Sequence, residues 1–179
     1  MNTIRKILVP VDFSEDAADG LKYAVSLAQK TQAELIVMHV TQKKDADSFL
    51  DLLAVMEGYP ASNRPAGIPI DRLLREKALD LHRFIEKIVR DPVRLKITRK
   101  VTLGNEEEKI LEIVHAENID LVVLAMRKKS FFLNLIARGK LPKMISRFPC
   151  PVLLTSPFLQ PSPLSALLGV LGFRSVIRA

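Results

Sequence analysis

Cysteine is scarce in this chain, and long uninterrupted apolar runs are absent. The single cysteine among 179 residues, Cys150, excludes an intrachain disulfide and suits a reducing compartment. It lies between Pro149 and Pro151, just before a predicted strand, where a packed thiol is expected rather than a nucleophile. No window reaches the roughly 18 apolar residues of a membrane-spanning helix, and the apolar run near the N-terminus is too short for a signal peptide core. The sequence therefore predicts a cytoplasmic protein.

Acidic residues are missing from the last third of the chain. Residues 1–120 contain 18 Lys and Arg against 20 Asp and Glu, whereas residues 121–179 contain nine Lys and Arg and no acid. Solvated faces usually mix both signs, so this block indicates an anionic partner or surface for the basic segment 127–147. The alternative is attraction between the acidic and basic halves, within one subunit or across a dimer. Nucleic acid is not expected, because Phe131 and Phe132 belong to no recognisable binding motif.

Apolar runs and amphipathic segments alternate along most of the chain. Strands are predicted at residues 4–11, 34–40, 93–103, 121–126 and 152–154, and helices at residues 14–31, 45–57, 71–89 and from 105 onward. Ser14 and Asn105 are good N-caps for two of these helices. The alternation predicts an α/β fold whose parallel sheet is covered by helices on both faces, with right-handed crossovers.

No catalytic constellation is visible in the sequence. The three histidines lie far apart, and no spacing typical of a metal site or of a nucleophile, histidine and acid occurs. His39, near the end of the second strand, is interpreted as a partly buried hydrogen-bonding residue, and His82 as a surface residue. The sequence thus predicts no reaction and no metal site.

Four motifs carry a resemblance to a known family. VPVDFSE at residues 9–15, GNEEEKILEIV at 104–114, DLVVLAMR at 120–127 and FPCPVLLT at 148–155 resemble the universal stress protein family, in the same order and spacing. The resemblance covers residues 3 to about 155. It implies a domain over residues 1–155 with a five-stranded, parallel, Rossmann-like sheet of the adenine nucleotide alpha hydrolase type. It also implies a homodimer in which the last strand, Val152, Leu153 and Leu154, pairs with its copy.

One branch of that family binds ATP through a signature that follows the fourth strand. The signature is Gly-x-x-Gly, then nine residues, then Gly followed by Ser or Thr. Glycines let the backbone approach the phosphates, and the hydroxyl caps a helix start and an anion. In this chain the three glycine positions fall on Ala125, Lys128 and Arg138, and Gly139 occupies the hydroxyl position. A one-residue slip would restore Gly139 as the third glycine but would place Lys140 at the hydroxyl position. The resemblance therefore implies a degraded phosphate site.

Two functional readings follow. The first is a non-enzymatic, dimeric stress-response or signalling module without a cofactor. The second is a nucleotide or phosphate binder, with ATP as cofactor, that uses charged side chains in place of backbone N–H groups. Asp12 matches the family's aspartate after the first strand and is interpreted here as part of the turn. Under the second reading the binding residues are Pro10, Val11, Asp12, Arg127, Lys128, Arg138, Gly139 and Lys140.

The C-terminal extension lies beyond the family core. Residues 156–163 form a proline-rich linker, and residues 164–179 are largely apolar, with Arg174 and Arg178 near the end. The apolar segment is too short to span a bilayer. It is expected to be helical and to pack on its own domain, on a dimer mate or on a partner. The alternative is that it lies in a membrane interface, which would make the protein peripheral to the membrane.

Overall fold

The fold is seen in a computed structural model that describes residues 4–56, 58, 70–89, 95–125, 143 and 145–155, without the side chains of residues 45, 50, 53 and 54. Strands and helices alternate along these ranges, as the sequence predicts. The elements are β1 (Lys6–Pro10), α1 (Glu15–Thr31), β2 (Glu34–Thr41), α2 (Lys43–Met56), α3 (Ile70–Ile88), β3 (Ile97–Leu103), α4 (Glu106–Ala116), β4 (Leu121–Ala125) and β5 (Val152–Thr155).

The strands form one five-stranded parallel sheet in the order β3-β2-β1-β4-β5. The central strands β1 and β4 are almost wholly buried, whereas β3 and β5, at the two edges, are half-buried. This difference explains why β1 and β4 are continuous apolar runs in the sequence, since both of their faces are covered. The predicted α/β fold is confirmed.

Two apolar layers sandwich the sheet. On one face α1 and α3 pack against it, with core residues such as Leu21, Val37 and Ile85. On the other face α4 and the stretch around Phe148 pack against it, with core residues such as Ile36 and Ile110. None of the helices within the described ranges is both long and apolar enough to cross a membrane.

The third strand begins later than the sequence predicts. The alternation of Val93, Leu95 and Ile97 suggests a strand from residue 93, but β3 starts at Ile97, and residues 90–94 lie outside the described part of the chain. The ladder with β2 opens where the N–H of Leu35 donates to the carbonyl of Lys96 at 2.9 Å. Before that bond, Leu95 is buried against the core without belonging to the strand. The alternation of apolar and polar residues alone therefore overestimates the length of the strand.

Candidate functional site

Parallel strands of an open α/β sheet bind ligands beyond their carboxyl ends, so the turn after β1 is the first place to look. Val11 is buried and donates its N–H to the carbonyl of Met38 at 2.8 Å. The exposed Asp12 carboxylate accepts from the N–H of Ser14 at 3.1 Å and from its hydroxyl at 2.5 Å. Ser14 in turn caps α1, because its Oγ accepts from the N–H of Ala17 at 3.1 Å. Asp12 thus has the turn role that the sequence predicts.

Phe13, between these two residues, adopts a left-handed backbone conformation with φ of 62°. Such a conformation is unfavourable for a residue with a bulky side chain, and it persists where surrounding contacts impose it. The Phe13 ring centroid lies 4.2 Å from that of His39 and 5.6 Å from that of Phe84, the latter in an edge-to-face arrangement. Aromatic packing from β2 and α3 therefore holds the turn and directs the neighbouring Asp12 to the surface.

A second carboxyl group lies near Asp12. Asn105 caps α4 by accepting the N–H of Glu108 at 3.2 Å, and Glu106 is the first residue of that helix. Burial, together with the nearby charge of Asp12, raises the pKa of Glu106 to about 8. At neutral pH Glu106 is therefore mostly a neutral acid that can donate a hydrogen bond, while Asp12 can only accept when ionised.

The carboxyl end of β4 is packed directly under α1. A Cβ atom added to Gly20 would lie 2.8 Å from the Cβ of Ala125 and 3.2 Å from the Oγ1 of Thr155. Only glycine lets the helix approach the two strands this closely. Ala125, which stands at the first glycine position of the ATP signature, therefore has its methyl group against α1.

The structure brings together only some of the residues predicted to bind a nucleotide. Pro10, Val11 and Asp12 follow one another at the carboxyl end of β1, and the charge of Asp12 acts on Glu106. The remaining predicted residues lie outside the described part of the chain and stay predictions: Arg127, Lys128, Arg138, Gly139 and Lys140. Sequence reasoning missed Glu106, because its approach to Asp12 depends on where α4 crosses the sheet. Its position just after an Asn N-cap was the only available signal.

One ion pair links the basic end of the chain to its acidic half. The Nη1 of Arg147 lies 3.0 Å from an Oε1 of Glu107, at the start of α4. The arginine side chain is 59% exposed, so the pair contributes at most about 1 kcal/mol. For Arg147, attraction within the chain therefore supplies an anionic partner. The other basic residues between 126 and 142 lie outside the described ranges.

The lone cysteine is a packed thiol, as predicted. Cys150 is half-buried against the apolar layer under α4. Burial raises the pKa of its thiol to about 11, and the charge of Asp120 contributes. The reactive thiolate is therefore scarce at neutral pH. Among the described side chains, no group of three or more His, Cys, Asp or Glu could hold a metal ion.

A groove of about 340 Å³ lies away from this turn, between the edge strand β3 and α4. Two lysines line it, Lys100 and Lys109. The first bonds to Glu117 at 2.6 Å and the second to Glu112 at 2.7 Å. Because carboxylates of the same chain already neutralise these lysines, the two side chains are poor ligands for an anion. A third cation of the lining, Arg99, has its guanidinium hydrogen-bonded to the ring of His82.

Comparison with known proteins adds a family to this geometry. The model of the Universal stress protein family matches residues 3–156, a range that includes β1 to β5 and the turn after β1. The chain is similar to universal stress protein MJ0577 of Methanocaldococcus jannaschii, with 25% identity over 151 residues, 83% of this chain and 93% of that protein. It is similar to universal stress protein MJ0531 of the same organism, with 24% identity over 152 residues, 85% of this chain and 82% of that protein.

Solved structures share the fold. Universal stress protein UspA from Lactobacillus plantarum superposes with a TM-score of 0.60 and 23% identity, over 87% of this chain and 100% of that chain. A universal stress protein solved in complex with cAMP gives a TM-score of 0.51 and 16% identity, over 86% of this chain and 98% of that chain. At these identities the likeness establishes the architecture and leaves the ligand open.

Proposed function

The chain belongs to the universal stress protein family, and from this premise we propose that it is a non-enzymatic, homodimeric stress-response or signalling module of the cytoplasm that does not hold ATP. One observation carries the proposal: Ala125, Lys128 and Arg138 stand at the three positions where the ATP-binding branch has glycine. Partner recognition, rather than nucleotide chemistry, is then the function of the loop after β4.

The argument against ATP is steric. Glycine positions let backbone N–H groups come within hydrogen-bond distance of phosphates, and a long side chain at such a position occupies the same volume. In this chain the second and third of these signature positions are Lys128 and Arg138, both residues with long side chains. Asp12 is accounted for by the turn, because its carboxylate accepts hydrogen bonds from both the N–H and the hydroxyl of Ser14. Neither feature requires a nucleotide.

The proposed homodimer forms through β5. This strand pairs with β4 along one edge, and its residues Val152, Leu153 and Leu154 are half-buried in the single chain. No other strand in the described ranges pairs with its outer edge. An unpaired edge strand is a template for another strand, here the same strand of a second copy. Light scattering coupled to gel filtration should give about twice the 20.1 kDa chain mass; a monomer at high micromolar concentration would rule the dimer out.

A second function is favoured by a specific observation. A relative of the same fold was solved in complex with cAMP, and this chain keeps an exposed acid at the carboxyl end of β1, Asp12, beside the neutral acid Glu106. In this alternative, Arg127, Lys128, Arg138 and Lys140 would hold phosphate by charge-assisted hydrogen bonds. The ligand would be a nucleotide bound without a glycine-rich loop.

Calorimetric titration separates the two functions. The purified chain should give no binding heat with ATP and Mg²⁺, or with cAMP, at ligand concentrations of several hundred micromolar. A low-micromolar dissociation constant, about −8 kcal/mol of binding free energy, would establish the alternative. The control is Asp12→Asn. If the alternative holds, this substitution should abolish the heat of nucleotide binding and leave the heat of dilution unchanged.

A further inference from the structure

The last five residues of α2 include three exposed apolar side chains. Leu52, Val55 and Met56 are 57%, 73% and 74% exposed, and their spacing of three and four residues places them on one side of the helix. On the inward side, Ala46 is only 3% exposed. We call Leu52, Val55 and Met56 the α2 face. Adjoining exposed apolar side chains of this size mark a surface that another segment or protein covers.

The same chain carries an apolar segment that requires such a surface. Residues 164–179 lie outside the described ranges and beyond the matched family domain. Their large apolar residues are Leu164, Leu167, Leu168, Val170, Leu171, Phe173, Val176 and Ile177. A segment of this composition is unfavourable in free contact with water. We propose that residues 164–179 dock on the α2 face of their own chain.

The linker is long enough for this docking. Strands β2 and β5 end at the same edge of the parallel sheet, and β1 and β4 separate them, giving three spacings of about 4.8 Å, or roughly 14 Å. Leu52 lies nine residues after the start of α2, about 14 Å along the helix at about 1.5 Å per residue. Residues 156–163 can extend over roughly 26–29 Å. The two distances together amount to at most roughly 28 Å, which the extended linker can span.

Charge complements the apolar match. Asp47 is exposed on α2 and stands eight residues before Val55, in line with it. The segment carries two arginines, Arg174 and Arg178. Exposed pairs of this kind contribute at most about 1 kcal/mol each, so they select the orientation more than they stabilise the contact.

Tethering favours the chain's own segment over that of a second copy. A short linker holds the segment at an effective concentration in the millimolar range near its own domain, whereas a second copy is present at its bulk concentration. The same argument applies to a membrane surface, which must compete with a site that the segment meets without leaving the molecule.

The absence of tryptophan allows a single reporter. Phe173→Trp places one in the segment, and its emission should indicate a buried indole. Leu52→Glu with Val55→Glu should move that emission to longer wavelength. The matched control is Leu79→Glu, which changes a leucine that is 56% exposed on α3 and should leave the emission unchanged. Trypsin cleavage after Arg174, measured without the reporter, should become about tenfold faster in the α2 variant, which corresponds to 1.4 kcal/mol.

Four outcomes would overturn the proposal. The first is a solvent-exposed indole together with trypsin cleavage that the α2 substitutions do not accelerate, and the second is a buried indole that those substitutions leave buried. The third is indole burial that depends on protein concentration. The fourth is indole burial that occurs only after anionic vesicles are added. The second places the segment elsewhere on the domain, the third on a second copy, and the fourth on a membrane. Far-ultraviolet circular dichroism in urea confirms that each variant is folded. If the reporter itself disturbs docking, the trypsin comparison decides, because it retains Phe173.

Discussion

The imidazole of His39, near the end of β2, holds the turn after β1 that contains Asp12. The Nδ1 atom of His39 lies 2.9 Å from the carbonyl oxygen of Val11, 28 residues earlier in the chain. Since that oxygen can only accept, Nδ1 carries the proton. The ring also packs against Phe13, whose backbone is left-handed. One side chain from β2 thus fixes the position of the turn after β1 and stabilises the left-handed backbone of Phe13 within it.

Replacing this histidine should therefore destabilise the fold. His39→Ala removes one partly buried hydrogen bond and one aromatic contact, and we expect a loss of about 1–3 kcal/mol in the free energy of unfolding. Urea unfolding followed by circular dichroism measures it. His115→Ala, at an exposed position of α4, is the control and should stay within about 0.5 kcal/mol of the parent. Equal stabilities of the two variants would contradict the role assigned to His39.

Glu106 should make stability fall as pH rises. Its pKa is about 8 in the folded chain and near 4.5 in the unfolded one. The unfolded state therefore binds fewer protons between these values, and the folded state loses stability from about pH 4.5 up to about pH 8. Glu106→Gln removes the titration. Its advantage over the parent should grow from near zero at pH 4 to as much as about 5 kcal/mol at pH 8.5.

Urea unfolding at several pH values tests this growth. Glu108→Gln changes an exposed carboxylate in the same first turn of α4 and is the matched control. Its difference from the parent should show no comparable rise between pH 4 and pH 8.5. A pH-independent difference for Glu106→Gln would mean that this carboxyl ionises normally in the folded chain.

The contact between α1 and β4 should behave as a coupled pair. Gly20→Ala gains up to about 1 kcal/mol of helix propensity but overpacks against Ala125, so we expect a net loss of about 1–2 kcal/mol. Ala125→Gly should relieve the clash, and a double-mutant cycle should give a coupling energy of about 1 kcal/mol. Ser26→Ala, at an exposed site of α1, controls for propensity. Additive effects of the two core substitutions would show that the helix simply shifts.

The loop after β4 allows a gain-of-function prediction. Lys128→Gly with Arg138→Gly restores the second and third glycine positions of the ATP signature. If bulk alone blocks phosphate, calorimetry should detect ATP binding in the double variant and none in the parent. If charge holds phosphate instead, the parent should bind and the double variant should bind more weakly. Lys129→Gly, next to but outside the signature positions, is the control and should change neither result.

Local rules were enough for much of the fold. Apolar runs in the sequence located β1, β2 and β4. The helix caps at Ser14 and Asn105 could be predicted because each side chain accepts the N–H of a residue only three positions later. Contacts between distant segments could not be read in this way. The Gly20 contact with Ala125 and the approach of Glu106 to Asp12 follow from crossover paths, which no periodicity specifies.

The close contact of α1 with Ala125 and Thr155 also fixes where two neighbouring strands, β4 and β5, end. At these positions a substitution is judged first by whether the helix and the strands still fit together. Residues 126–142, which follow the first of these strand ends, lie outside the described ranges. A scaffold held by so local a contact can be inherited while other positions vary, so the shared fold by itself does not tell what this chain carries.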